Sequence, residues 1–222
     1  MQSTQALRIE GLKFAYSGEE WVVDVRELAL ARGEQMLLSG GSGSGKSTLL
    51  HLIAGLEEPD AGTVEVAGRK MHALHGAQRD LYRGRHVGMI FQTFNLLHGF
   101  SALENVEAAL MFSEVPAREH RERARALLAG LGIERMGARP DQLSVGQQQR
   151  VAVARAVACD PVVVLADEPT ASLDPENAAM AMELIQGLCR EKGAALLCVS
   201  HDPGMRARFE RRASLGELGG RA

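Results

Sequence analysis

Leu37-Leu38 runs into Ser39-Gly40-Gly41-Ser42-Gly43-Ser44-Gly45-Lys46-Ser47-Thr48, an apolar strand followed by the spacing G-x-x-x-x-G-K-[ST]. That spacing is a phosphate cradle, the P-loop. Glycines let successive backbone N–H groups turn inward on an anion without Cβ clashes. A helix starting at about Lys46 adds unpaired N–H donors and the positive end of its dipole. Lys46 would place its ammonium between the β- and γ-phosphates of a nucleoside triphosphate. Ser47 would put a hydroxyl on Mg²⁺, and Thr48 would reach the α-phosphate. A flexible Gly/Ser linker fits the stretch poorly, because Leu49, Leu50, Leu52 and Ile53 follow it as a helical apolar face.

Four further groups have the right chemistry for such a ligand. Asp167-Glu168 ends the apolar run Val162 to Ala166. Carboxylates at the carboxyl end of a parallel strand face the place where α/β sheets bind ligands. One suits Mg²⁺ and its neighbour suits polarising a water for attack on a γ-phosphate. His201 also lies just past a buried-strand pattern, parallel to Asp167, which points it at the γ-phosphate. Gln92 follows Phe91 at a third strand end and carries no signal alone. Leu143-Ser144-Val145-Gly146-Gln147-Gln148-Gln149-Arg150 is a polar Ser-Gly turn opening a helix, a second anion-competent helix N-terminus. One nucleotide has no need of two such sites in one subunit, so the second would serve a neighbouring molecule.

The elements that must position these groups are legible from periodicity. Leu7 to Phe14 alternates as a half-buried strand; Val22 to Leu30, Glu34 to Ser39, Thr63 to Val66 and Val87 to Phe91 read as further strands. Turns are expected at Ser17-Gly18, Arg32-Gly33 and residues 57–62, and a short polar helix over Gln78 to Arg83. Strand character is missing from Ser101 to Leu131. Pro116 is placed to start a helix with apolar positions Ala124, Leu127, Leu128 and Leu131, while Arg118 to Arg123 reads as a solvated face. Residues 93–159 therefore form a mostly helical insertion, ending in the small, apolar helix Gln147 to Ala158. Val162 to Ala166 suits a central parallel strand covered on both faces. Asp174 caps a helix with Pro175 at its first position, whose apolar face is Ala178, Ala181, Met182, Ile185, Leu188 and Cys189, and Gly193 ends it. Met182 and Met180 read as core filler. Ala195 to Val199 is the next buried strand, and Arg206 to Arg212 a short, basic, solvated end.

Composition narrows the classes. The 222 residues suit one α/β domain, and a net charge of −3 gives no pull toward nucleic acid or an anionic membrane. Cys159, Cys189 and Cys198 lie in apolar patterns without metal spacing and read as reduced core residues. No signal pattern opens the chain, and no apolar run approaches the ~20 residues that span a bilayer. Any membrane work falls to a separate partner.

Taken together and in order, these motifs resemble the nucleotide-binding subunit of ATP-binding-cassette (ABC) transporters over nearly the whole chain. They are the P-loop, Gln92, the Leu143 to Arg150 signature, Val162 to Glu168, Ser172-Leu173-Asp174 and His201. The resemblance implies a single α/β P-loop NTPase domain over residues 1–222. Residues 1–92 and 160–222 would form a RecA-like core with an antiparallel β subdomain, and residues 93–159 an inserted helical subdomain. It implies two copies packed head to tail, each ATP lying between one P-loop and the other copy's signature. Tyr16 would stack on adenine. Residues Gly40 to Thr48 would hold phosphate, with Ser47, Gln92 and Asp167 serving Mg²⁺. Glu168 would be the catalytic base and His201 would hold the γ-phosphate. Ser144, Gly146, Gln147 and Asp174 would complete the site across the dimer.

The family's first signature glycine is Val145 here. A β-branched residue disfavours φ > 0 and adds bulk beside a phosphate. Asp80 to Gln92, Asn95-Leu96-Leu97 and Ala102 to Val106 are similar to the lipoprotein-releasing and macrolide-export (LolD/MacB) group. A membrane permease at the cytoplasmic face of the inner membrane is then the implied partner, with export or lipid release as its work. Two alternatives stand beside it. One is an ATPase that signals through a membrane partner to a periplasmic or cell-division hydrolase. The other is an ABC-type machine for nucleic acid or ribosomes, which the lack of coiled-coil arms or a tandem cassette disfavours. Leu96, Leu97 and Phe100 are expected either to line a permease groove or to pack into the helical subdomain.

Overall fold

The structure, a computed structural model, describes residues 5–16, 20–41 and 43–219. The expected turn at Ser17-Gly18 and the P-loop residue Ser42 lie outside the described residues.

Two sheets organise the chain. The first is antiparallel, in the order β2 (Val23–Ala31), β1 (Gln5–Phe14), β4 (Ala61–Val66), β5 (Arg69–Lys70). In β1, Leu7, Ile9 and Leu12 are buried, and the polar residues between them face outward. A covered face and a wet face produce that alternation. The second sheet is parallel, in the order β6 (Val87–Ile90), β7 (Val163–Asp167), β8 (Ala195–Ser200), β3 (Gln35–Ser39), β9 (Arg211–Ser214). Val163, Val164, Leu165 and Ala166 are fully buried, as are Ala195 to Val199, because helices cover both faces. The parallel sheet brings Ser39, Asp167 and Ser200 to one edge, so the motifs that follow them converge there.

The helices start and stop where backbone chemistry dictates. Helix α1 (Lys46–Ile53) follows the P-loop, and α2 (Ala77–His86) is longer than the expected polar helix. The 101–131 region divides in two, α3 (Ala102–Leu110) and α4 (Ala117–Gly130). Ser101 starts α3 with a capping box: its hydroxyl accepts from Glu104 N–H at 3.3 Å and Glu104 returns a bond to Ser101 N–H at 2.8 Å. Pro116 is the N-cap of α4. Helix α5 (Val145–Val157) begins two residues earlier than expected, again behind a capping box, Ser144 with Gln147. Asp174 caps α6 (Pro175–Lys192) by accepting from Asn177 N–H at 3.1 Å. Gly193 ends it at φ +61°, a conformation glycine adopts without steric cost.

Three buried clusters hold these layers. One joins both sheets with α1, one joins the parallel sheet to α5 and α6, and one lies among α3, α4 and α5. All three cysteines are free thiols, with Cys189 and Cys198 in the core and Cys159 half-buried, its Sγ 3.2 Å from Ala109 O. Burial pushes the Cys159 thiol up to about 11 and Cys189 to about 12.

Four expectations are corrected. Arg206 to Arg212 is only partly a solvated end: Arg206 and Arg212 are exposed, but Phe209 is buried and Arg211 opens the edge strand β9. Its guanidinium donates to Ala29 O at 2.6 Å and to Glu34 at 2.5 Å. Partial burial works against the Glu34 carboxylate, but the Ala31 N–H and Arg211 outweigh it and hold its pKa below the usual range. Arg123 leaves the solvated face of α4: Nε donates to Ala158 O at 2.9 Å, and the guanidinium pairs with Asp160, which also takes Lys192 Nζ at 2.6 Å. Met182 is core, but Met180 is exposed beside a cavity between α5 and α6. Val145 needs no left-handed backbone. It occupies the first helical position of α5 with its side chain exposed, so the expected steric penalty on the chain does not arise.

Candidate active site

The P-loop joins β3 to α1. Gly45 has φ +87°, and a Cβ there would lie 2.2 Å from Val22 O, so glycine is the one residue that lets the loop lie against Val22, just before β2. As the N-cap of α1, Gly45 supplies no side-chain acceptor, and the first turn of α1 carries no acidic residue. The helix N-terminus therefore presents its N–H groups and positive dipole end without a capping oxygen, unlike α3, α5 and α6. Lys46 is buried and reaches back across the loop. Its Nζ donates to Gly40 O at 2.9 Å, Gly41 O at 2.7 Å and Ser44 Oγ at 3.2 Å. These are neutral acceptors, which leaves the ammonium charge uncompensated within the loop. A polyanion fits that cradle.

Beside it, Ser47 Oγ donates to Asp167 Oδ1 at 3.0 Å, tying α1 to the end of β7. A hydroxyl and a carboxylate are hard oxygen donors of the kind Mg²⁺ takes alongside phosphate oxygens. Among the described residues no cluster of three or more His, Cys, Asp or Glu forms a metal cage. The Tyr16 hydroxyl lies 3.1 Å from Thr48 Oγ1, and its ring stands edge-on to Phe14 at 4.8 Å, so Tyr16 flanks the first turn of α1 with most of its ring exposed.

Glu168 follows Asp167 at φ +45°, a costly conformation for a side-chain-bearing residue. Its N–H donates to Val199 O at 3.0 Å, which fixes this turn to β8. Its carboxylate accepts from Ser200 Oγ at 3.2 Å and His201 N–H at 3.0 Å, and lies 2.6 Å from His201 Nδ1. Glu168 and His201, separated in sequence by α6 and β8, thus meet directly. A neutral imidazole that donates from Nδ1 has only an acceptor at Nε2.

Among the described residues, none of the remaining expected residues hydrogen-bonds to this cluster. Gln92 is exposed just past β6. Asp174 is engaged with Asn177. Ser144 and Gln147 cap each other at the start of α5, and Gly146 opens onto free space where a Cβ would meet nothing within 4 Å. Three polar residues make contacts that no sequence reading singled out. Gln149, buried on α5, donates to Pro169 O at 2.7 Å and joins α5 to the turn after Glu168. Asn105, fully buried, accepts from Leu97 N–H at 2.8 Å and donates to Leu97, Phe100 and Ser101 carbonyls. Its signal was a polar residue on the apolar face of a helical run. Arg155 donates to two carbonyls of the loop after Gln92.

A P-loop on a parallel sheet with Ser47, Asp167 and a Glu168–His201 pair at its edge defines a nucleoside-triphosphate hydrolase. Residues 23–171 match the ABC transporter family, and the chain belongs to it, with ATP hydrolysis as its chemistry. It is 42% identical over 209 residues to the lipoprotein-releasing system ATP-binding protein LolD of Chromohalobacter salexigens, covering 92% of this chain and 88% of that protein. It is 40% identical over 209 residues to the macrolide export ATP-binding/permease protein MacB 1 of Yersinia pestis, covering 92% of this chain but 32% of that longer protein. Among solved structures, the ATP-binding cassette MJ0796 in a dimeric, post-hydrolysis state bound to ADP and Pi superposes with a TM-score of 0.83. The two are 36% identical, over 94% of this chain and 93% of that one. Among the described residues no helix is long and apolar enough to cross a membrane.

Proposed function

We propose that this chain is the ATP-hydrolysing subunit of an export or lipoprotein/lipid-release transporter. It pairs head to tail with a second copy and drives a membrane permease from the cytoplasmic face of the inner membrane. The observation that carries this reading is a second helix start, α5 behind Ser144, whose Gly146 opens onto free space, in addition to the uncapped start of α1 behind Gly45. Among the described residues the hydrogen bonds of Ser144, Gly146 and Gln147 stay within α5. A second subunit gives the spare helix start a ligand. Residues 93–159 form the helical subdomain, and residues 1–92 and 160–222 the core with its antiparallel sheet.

In this reading Lys46 and the N–H groups of residues 40–48 hold the phosphates, and Tyr16 flanks the adenine. Ser47, Asp167 and Gln92 would hold Mg²⁺, which would supply neutralisation of phosphate charge. Glu168 accepts a proton from the water whose oxygen bonds the γ-phosphorus as the bond to the β,γ-bridging oxygen breaks. His201, held by Glu168, then faces the transferred phosphoryl group. Ser144, Gly146 and Gln147 of the second copy close the site, with Asp174 at the same interface. Hydrolysis per subunit should therefore rise with protein concentration through the dimerisation range. A specific activity that stays flat on dilution from micromolar to nanomolar would overturn the shared site.

The permease seat is supported by a cavity of ≈ 350 Å³ between the core and the helical subdomain, lined by Leu56, Phe91, Asn95, Phe112 and Arg155 among others. Leu56, Phe112, Leu97 and Phe100 are exposed, whereas Leu96 packs inward with α3–α5. The exposed Leu56 and Phe112 on the cavity wall fit a short amphipathic helix of a permease, and the exposed Leu97 and Phe100 follow its lining residue Asn95 on the same loop. Replacing Leu97 and Phe100 together by Ser should leave the isolated subunit folded with its basal ATPase, and abolish permease binding and permease-stimulated turnover. Co-purification with the permease at wild-type yield would place the seat elsewhere.

A further inference from the structure

The loop after Gln92 turns through a conformation its residues disfavour. Phe94 has φ +59° and Asn95 φ +47°, adjacent and neither of them glycine. There Cβ crowds a carbonyl oxygen, and two such residues in succession need compensation from their surroundings. Part of it is local: Asn95 N–H donates to Thr93 O at 2.7 Å, Thr93 Oγ1 donates to Asn95 Oδ1 at 2.8 Å, and Phe94 is buried. The rest comes from α5. Arg155 donates from Nη1 to Asn95 O at 2.5 Å and from Nη2 to Phe94 O at 2.7 Å. One planar guanidinium thus spans the two carbonyls on which the turn depends.

We infer that Arg155 is a positioning residue whose fork holds residues 93–95 in their left-handed turn. It thereby sets Gln92 on one side of the turn, and Leu96 and Leu97 on the other, relative to α5. Combined with the proposed roles of Gln92 and α5, on which this extension rests, Arg155 joins three places. These are the nucleotide bound by its own chain, the helix start that faces the second copy's nucleotide, and the permease groove, which Arg155 and Asn95 both line. A lysine at 155 keeps the charge but offers a point donor that cannot serve both carbonyls in one plane.

Amide hydrogen exchange of the full chain without nucleotide reads the turn itself, independently of any ATP chemistry. In Arg155→Lys the amides of Asn95 and Leu97 should exchange roughly tenfold faster, in line with release of the left-handed pair. The amides of the central strand β7 should be unchanged. Asn95→Ala and Asn95→Gly form an independent arm that leaves Arg155 in place. Both delete the same side-chain amide, and only alanine disfavours φ > 0. Asn95→Ala should exchange about tenfold faster than Asn95→Gly at Leu97. In the Arg155→Lys background, Asn95→Gly should restore part of the protection and of any rise in KM for ATP, a rescue that a purely structural arginine would not show. Wild-type exchange in Arg155→Lys overturns the inference. Should that variant not fold, equal exchange in the two Asn95 variants overturns it. ATP binding measured on the same samples separates this outcome from a failure of the nucleotide reading.

Discussion

Replacing Glu168 with glutamine is expected to lower ATP turnover by roughly two or more orders of magnitude, the range that loss of a general base produces. The substitution is nearly isosteric in a tightly specified place. The native carboxylate accepts from Ser200 Oγ, His201 N–H and His201 Nδ1. A glutamine Oε1 still accepts from the two His201 groups, and its Nε2 can donate to Ser200 Oγ. The turn at φ +45° is held by the backbone bond to Val199 O, which the change does not touch. Ligand geometry should therefore persist while the group that accepts the water proton is gone. ATP should bind with near-native affinity and now trap a stable dimer. Phosphate release and light scattering in the presence of Mg²⁺ and ATP measure the two halves of this outcome. Near-normal turnover would remove Glu168 from the role of base.

Much of this site was legible because its parts obey local rules. A P-loop is a continuous stretch whose glycines, lysine and hydroxyls announce one chemistry, and β7 announces itself by an unbroken apolar run ending in two carboxylates. The N-cap at Asp174 was written in the same local code, whereas Ser144 was read as a turn before a helix at Gln147 and caps one that begins at Val145. Contacts across the chain were not written that way. Nothing near Glu168 specifies that His201 will touch it, because that meeting depends on β7 and β8 being parallel neighbours in register. Arg211 looked like a solvated charge because its partners, Ala29 O and Glu34, lie far back in the sequence and reach it only once β9 docks on β3. Arg155 was hidden for the same reason, and its partners are backbone carbonyls that carry no side-chain signature. The residue that misled in the opposite sense was Val145. A glycine motif read as a string implied a left-handed position, whereas the folded chain places that residue in the first turn of a helix, where a β-branched side chain is tolerated.

Lys46→Ala tests the cradle rather than the chemistry, and its effect should fall on binding as well as rate. The native ammonium is buried against Gly40 O, Gly41 O and Ser44 Oγ, so it is positioned by the loop but not neutralised by it. Phosphate oxygens would supply the missing negative charge. Hydrogen bonds to charged groups contribute about 1.5–3 kcal/mol each. Two such bonds to the β- and γ-phosphates would stabilise the complex by roughly 3–6 kcal/mol, or about two to four decades in Kd. Stability should move the other way or not at all. Position 46 is the first residue of α1, where alanine is a good helix former, and the change removes a buried charge that has no carboxylate partner. The variant should thus melt at or above the wild-type temperature while calorimetry shows ATP binding weakened at least a hundredfold and hydrolysis lost with it. This separates it from Glu168→Gln, which keeps binding and loses turnover. Tight ATP binding retained by Lys46→Ala, in a protein that is still folded, would mean that the phosphates are held by the backbone N–H groups of the loop and α1 alone.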